Sequence, residues 1–200
     1  SEDYEKAKVN AKKFSKKKNH IFINGLGKNV LYGNGTYFKE LFDREIKNLS
    51  KSKKVAVIVP LGIGSLALPA GLYFGGKKVN FDLHLVEPTN YSKFYSNLKN
   101  EKIEYFSPTL ADGAAVKVLP KKSHSHLLYF AKSIITLDEN EIEKSINYLD
   151  KIKIYKRKIE GAGVLAFGAY LFGGEYFKKY KSVFKFITGK NRWYLKLKKL

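Results

Sequence analysis

The feature that most constrains the fold is an unbroken apolar run, Val55–Val59. It leads into a glycine turn, Leu61-Gly62-Ile63-Gly64-Ser65, and then an apolar segment, Leu66–Phe74. A strand wetted on one face alternates apolar and polar residues, whereas a run without polar positions is buried on both faces. Such a strand needs helices above and below a parallel sheet, so the unit reads as strand, tight turn and helix. Pro69 sets the register. With Ser65 as N-cap, Pro69 lies in the first helical turn, where its missing N–H costs little. In mid-helix it would cost about 3 kcal/mol. Gly75-Gly76 is the expected stop.

The flanking sequence continues the alternation. Asp3–Phe14 places Tyr4, Ala7, Ala11 and Phe14 on one helical face. Ile21–Ile23 is a short strand candidate, Asn24–Gly35 a Gly/Asn-rich loop, and Thr36 an N-cap for a helix carrying Phe38, Leu41, Phe42 and Ile46. Val79–Val86 alternates as a second strand, and Glu87–Ser107 shows no clear pattern. Ile134–Thr136 is a β-branched run, followed by Asp138-x-x-Glu141, an acidic variant of the capping box. Ile152–Tyr155 reads as a brief strand, Gly161–Phe172 as a buried helix, Val183–Thr188 as a last strand and Asn191–Leu200 as a basic tail. The predicted fold is a three-layer α/β domain with a mostly parallel sheet, one domain over 1–200 with its basic tail at 190–200.

Composition removes several classes. There is no Cys, so neither a disulfide nor a thiolate metal site can form. The four His form no H-x₃-H or HExxH pattern, and no metal site is expected. No apolar run reaches the roughly 18–20 residues that span a bilayer, and the start lacks the apolar core of a secretory signal. A cytoplasmic or organelle-matrix protein is expected. The net charge is +20, carried by 35 Lys and only 3 Arg. Phosphate- and guanine-reading surfaces lean on Arg, so this balance fits compositional drift as well as a selected polyanion surface. The candidate RNA contact is the tail, where Arg192, Trp193, Tyr194, Lys196, Lys198 and Lys199 combine cations with stacking rings.

Taken alone, Gly62-x-Gly64 fits a phosphate-binding turn at a helix N-terminus and equally a plain connection. The order of motifs adds to it. Gly33-Asn34-Gly35-Thr36, Val59-Pro60-Leu61-Gly62-Ile63-Gly64-Ser65-Leu66, Val86-Glu87-Pro88, Thr109–Lys117, Ile135–Ile142, Glu160-Gly161-Ala162-Gly163 and Ile187–Asn191 follow one another along nearly the whole chain. This series resembles the carboxy-terminal part of the threonine/serine dehydratases, serine racemase-like pyridoxal-phosphate enzymes of fold type II in the tryptophan synthase beta superfamily.

The resemblance implies the large-domain portion of that fold and pyridoxal phosphate as cofactor. Gly62, Ile63, Gly64 and Ser65 would offer N–H groups to its phosphate. Gly113 would lie against the pyridine ring, and Thr188 would face the ring nitrogen. Two departures stand out. Ile63 replaces a glycine of the family's phosphate loop. Lys93 stands where the resemblance implies a second acid of a cation site, so no cation is expected and its ammonium could pair with Glu87. No S-F-K-x-R-G-like lysine motif and no S-x-G-N-H substrate loop occur in the 200 residues. None of them is therefore expected to be catalytic, and the chain alone should be inactive.

Three functions follow: part of a dehydratase completed by another chain, a non-catalytic partner subunit, or a basic component of an RNA-protein assembly such as a divergent ribosome. In each, a second chain is expected to complete or cover the sheet.

Overall fold

The computed structural model describes residues 4–17, 20–48, 54–77, 79–101, 108–153 and 159–189. Helix α1 (Tyr4–Ser15) and helix α2 (Lys28–Leu41) precede strand β1 (Val55–Pro60). Then come α3 (Ala67–Gly76), β2 (Phe81–Pro88), α4 (Lys93–Lys99), α5 (Lys121–Phe130), β3 (Ala131–Leu137), α6 (Glu139–Ile152), α7 (Gly161–Phe172), α8 (Gly174–Phe177) and β4 (Ser182–Lys185). The four strands form one parallel sheet in the order β3-β2-β1-β4.

The apolar run of β1 is buried because alternate residues enter two cores. Val55, Val57 and Val59 meet Leu83 and Leu85 of β2 under Phe38 of α2, Phe74 of α3 and Leu127 of α5. Ala56 and Ile58 face the other way with Val86, against Ile142 and Ile146 of α6 and Val164, Leu165 and Ala169 of α7. The result is the predicted three-layer α/β arrangement. Burial of each large side chain stabilises by roughly 1.5–3 kcal/mol.

The capping box forms as predicted: Glu141 N–H donates to Asp138 Oδ1 (2.8 Å), and Asp138 N–H donates to Glu141 Oε2 (3.0 Å). Gly161–Phe172 is a buried helix as predicted.

Other boundaries need correction. Ile21–Ile23 is irregular, and Ile21 and Ile23 are exposed with no ladder partner among the described residues. The segment Asn24–Gly35 is not all loop, nor is Thr36 an N-cap: α2 begins at Lys28 and passes through Gly33-Asn34-Gly35, and the Thr36 hydroxyl bonds back to Gly33 O (2.7 Å). Each internal glycine costs a helix about 1 kcal/mol. Tertiary burial outweighs this, because Phe38 is fully enclosed against Phe74 and Phe186, with ring centroids 5.7 and 4.6 Å away.

The N-cap of α3 is Leu66 rather than Ser65, and the helix continues through Gly75-Gly76; Pro69 still falls in its first turn. The second strand starts at Phe81 rather than Val79 and runs on to Pro88. Ile152 ends α6 and Lys153 takes the left-handed conformation (φ 50°), so no strand begins there; residues 154–158 lie outside the described set. The last strand stops at Lys185. Thr188 N–H leaves the sheet to bond Gly163 O (3.3 Å).

Candidate cofactor site

At the carboxyl end of β1 the chain leaves the sheet as Leu61–Ser65 and enters α3. Ligands of open α/β sheets bind at this end of the strands. Both ends of the loop are pinned. Leu61 N–H donates to Val86 O (2.8 Å), and Leu61 O accepts from Lys93 Nζ (2.9 Å). At the far end, Asn34 Nδ2 donates to Ser65 O (2.8 Å), which ties α2 to the loop. Between the pins, Gly64 has φ +94°, a region that L side chains disfavour. A Cβ there would also sit 3.3 Å from Ser123. The bulky residue of the loop, Ile63, occupies a position without positive φ, so the one position that demands glycine has it.

Among the described residues, no protein acceptor bonds the N–H groups of Gly62, Ile63, Gly64 or Ser65. Unbonded N–H groups leading into a helix, with its positive dipole end behind them, form an anion cradle.

Two other segments close over the cradle because glycines let backbones touch. A Cβ on Gly161 would lie 1.9 Å from Leu110 O, and one on Gly163 would lie 1.6 Å from Thr188 O. The amino end of α7 is thus wedged between the 110–116 turn and Thr188. The 110–116 turn is held by Leu110 N–H to Glu139 Oε2 (2.8 Å) and Ala111 N–H to Thr109 Oγ1 (3.1 Å). The half-open cavity between them measures about 320 Å³ and is lined by all six residues predicted for the cofactor: Gly62, Ile63, Gly64, Ser65, Gly113 and Thr188.

Tyr4 and Glu160 also line it. Tyr4 comes from the predicted first helix and Glu160 from the Glu160–Gly163 motif, and neither had a predicted role at the site. The described lining holds no Lys or Arg, so a phosphate there would be held by N–H groups and the helix dipole. The donor set fits a phosphate. The end of the Ile63 side chain rests toward Gly25, where a Cβ would come within 2.8 Å of Ile63 Cδ1.

Behind the loop lies a buried ion pair. Lys93 Nζ contacts Glu87 Oε1 at 2.8 Å, and both side chains are at most 1% exposed. The Glu87 carboxylate also accepts from Phe94 N–H (3.1 Å) and Tyr95 N–H (3.1 Å), which seats α4. Burial pushes the Lys93 ammonium below the usual lysine range, and Glu87 opposes that shift. The pairing with Glu87 matches the sequence expectation; the bond to Leu61 O was not legible.

Arg192, Trp193, Tyr194, Lys196, Lys198 and Lys199 lie outside the described residues. Among the described residues, no three His, Asp or Glu gather as a metal-ligand set, and no helix is long and apolar enough to cross a membrane.

No family model matches the chain. It is 32% identical over 171 residues to the L-threonine dehydratase catabolic TdcB of Staphylococcus aureus strain N315, across 81% of this chain and 46% of that protein. The same relative in strain USA300 matches at 32% over 148 residues. Among solved structures, a fungal L-serine ammonia-lyase from Rhizomucor miehei superposes with TM-score 0.75 at 18% identity, over 92% of this chain and 59% of that one. Maize serine racemase gives 0.69 at 18% identity, over 90% and 56%. The chain spans about half the length of the relatives it matches.

Proposed function

We propose that this chain, which is homologous to the threonine/serine dehydratases of pyridoxal-phosphate fold type II and spans about half their length, is the phosphate-holding part of an enzyme converting threonine or serine to a 2-oxo acid and ammonia. The observation that carries this reading is the cradle: four unbonded N–H groups, a helix N-terminus, Gly113 and Thr188 share one cavity. When bound, pyridoxal phosphate supplies an electron-withdrawing ring that labilises bonds at the amino-acid Cα.

The chain's own residues would bind and orient it. Gly62–Ser65 hold the phosphate. Gly113 gives the ring a surface without a side chain. Thr188 offers a hydroxyl to the ring nitrogen; unlike a carboxylate, a hydroxyl leaves that nitrogen unprotonated. No described residue lining the cavity is a lysine, so these residues provide no covalent anchor and no base for the α-proton.

A complementary lysine-bearing segment would complete the site. The sheet offers it room: β4 is bonded only to β1 among the described residues, beside a slot of about 530 Å³ lined by Leu41, Phe184 and Phe186. The test is release of 2-oxobutyrate from threonine, by the chain alone and with the lysine-bearing half of a homologous dehydratase. Activity only in the mixture supports the reading. Activity of the chain alone, or none in a mixture shown to associate, overturns it.

The net charge of +20 supports a second proposal, RNA binding through Arg192, Trp193, Tyr194, Lys196, Lys198 and Lys199. Deleting 191–200 should then lower RNA affinity and flatten its dependence on salt; an unchanged salt slope refutes it.

A further inference from the structure

A second polar cluster lies away from the cradle, beneath the outer part of the sheet. His84 of β2 is fully buried. Its Nδ1 is 2.7 Å from Ser133 Oγ of β3, and its Nε2 is 3.1 Å from Tyr180 OH. Tyr180 OH in turn is 2.7 Å from Asp82 Oδ2, while Lys54 holds the other carboxylate oxygen at 2.9 Å.

Proton bookkeeping assigns every donor in this chain. The Asp82 carboxylate can only accept, so the single Tyr180 O–H donates to it. Tyr180 oxygen therefore accepts: the Tyr176 side chain also bonds it, and a bare Nε2 would set one lone pair against another, so the His84 proton sits on Nε2. A neutral imidazole has one N–H, which leaves Nδ1 as a bare lone pair directed at the Ser133 hydroxyl. Burial keeps His84 neutral, pushing its pKa down to about 4 against the pull of Asp82. A serine whose hydroxyl bonds a neutral His, itself oriented by a third group, is the arrangement of an activated nucleophile.

Three further observations point the same way. The β2–β3 ladder slips between Leu83 and His84: Leu83 pairs with Ala131, but His84 pairs with Ser133, so a bulge at Lys132 brings Ser133 beside the imidazole. Ser133 also opens onto a groove of about 380 Å³ whose walls include Ile135, Leu137, Phe172, Tyr176 and Phe177. β3 is the outer strand, so alternate N–H groups along it have no ladder partner among the described residues. Such donors are what a developing oxyanion needs.

We propose that Ser133 is a second, covalently reactive site, a serine nucleophile with His84 as its base, which accepts the acyl group of small apolar esters. Ser133 Oγ bonds the ester carbonyl carbon as its proton passes to His84 Nδ1. The carbon–oxygen bond to the alcohol then breaks, and the leaving alcohol takes the proton from Nδ1. Water repeats the sequence, releasing the carboxylic acid and restoring Ser133, so ester and water become acid and alcohol. Tyr180 is a positioning residue that fixes the tautomer of His84.

The test is independent of pyridoxal phosphate. The chain is treated with an alkyl fluorophosphonate, and the modified peptide is mapped by mass spectrometry over time. Turnover of p-nitrophenyl butyrate is followed in parallel. Labelling at Ser133, absent in Ser133→Ala and slowed at least tenfold in Tyr180→Phe with its circular-dichroism spectrum retained, supports the proposal. Absence of label at Ser133, an equal rate in folded Tyr180→Phe, or ester turnover equal in Ser133→Ala overturns it. Should Tyr180→Phe fail to fold, Ser133→Ala, which removes one half-buried hydroxyl of the outer strand, decides alone.

Discussion

Replacing Lys93 by Met tests the element that holds the phosphate loop. The methionine fills a comparable volume but removes the ammonium, leaving the Glu87 carboxylate in a dry site and Leu61 O without its Nζ donor. Breaking a buried pair by deleting one partner costs about 3–5 kcal/mol. Glu87 keeps two backbone donors, Phe94 N–H and Tyr95 N–H, which places its share at the lower end. The lost bond to Leu61 adds about 1 kcal/mol. The expected loss is therefore roughly 4 kcal/mol, a large fraction of the 5–15 kcal/mol typical of a domain. Adding Glu87→Gln removes the stranded charge, so the double variant should recover about half of that loss; because Glu87→Gln alone strands the buried Lys93 ammonium, the coupling should exceed ~2 kcal/mol. Urea denaturation followed by circular dichroism at neutral pH reads all three stabilities. A single-variant loss below about 1 kcal/mol, or strictly additive effects, would refute the claim that this pair is buried and bonded as seen.

Further outcomes follow from other positions. Gly64→Ala forces a Cβ onto a backbone at φ +94° and against Ser123, so it should lower stability by about 1–2 kcal/mol, read by denaturation. Ile63→Gly should tighten pyridoxal-phosphate binding, measured by absorbance titration; unchanged or weaker binding would mean that the loop does not face a phosphate. His84, neutral in the fold with a pKa of about 4, must charge on unfolding below its ordinary 6.5. The unfolded state then binds more protons between those values, so stability should fall as pH drops from about 6.5 to 4, by at most roughly 3 kcal/mol. The groups acting on it are Ser133, Tyr176, Tyr180, Asp82, Lys54, Lys132 and Lys179. Burial raises Asp82, but its bonds to Lys54 and Tyr180 outweigh that and hold it below its ordinary range, so its contribution is lost only at still lower pH. Stability flat across pH 6.5 to 4 would contradict the buried neutral His84.

Local pattern revealed the elements whose signal is local. The apolar β1, the capping box of Asp138 and Glu141, and the small-residue helix α7 each carry their cause within a dozen residues. Helix α2 did not, because its glycines and asparagines spell a loop and only the burial of Phe38 between Phe74 and Phe186 makes it helical. Helix α4 is seven residues long and is seated by Glu87 from the preceding strand, a contact invisible to periodicity. The cradle residues were legible through the order of their motifs, although they come from separate segments. Asn34 and Lys93 were not legible as its pins, because each acts on a carbonyl 31 or 32 residues away. The chain from Ser133 through His84 and Tyr180 to Asp82 joins residues up to 98 apart and left no trace in spacing.

The central claim is that Gly62–Ser65 holds a phosphate and that these residues alone form no covalent bond to the cofactor. It is tested most directly by titrating the chain with pyridoxal phosphate, with and without inorganic phosphate and borohydride. Binding should be saturable, competed away by inorganic phosphate, weakened by Gly64→Ala and not trapped by borohydride. Binding indifferent to inorganic phosphate and to Gly64→Ala, or a stoichiometric borohydride-trapped lysine adduct, would contradict it.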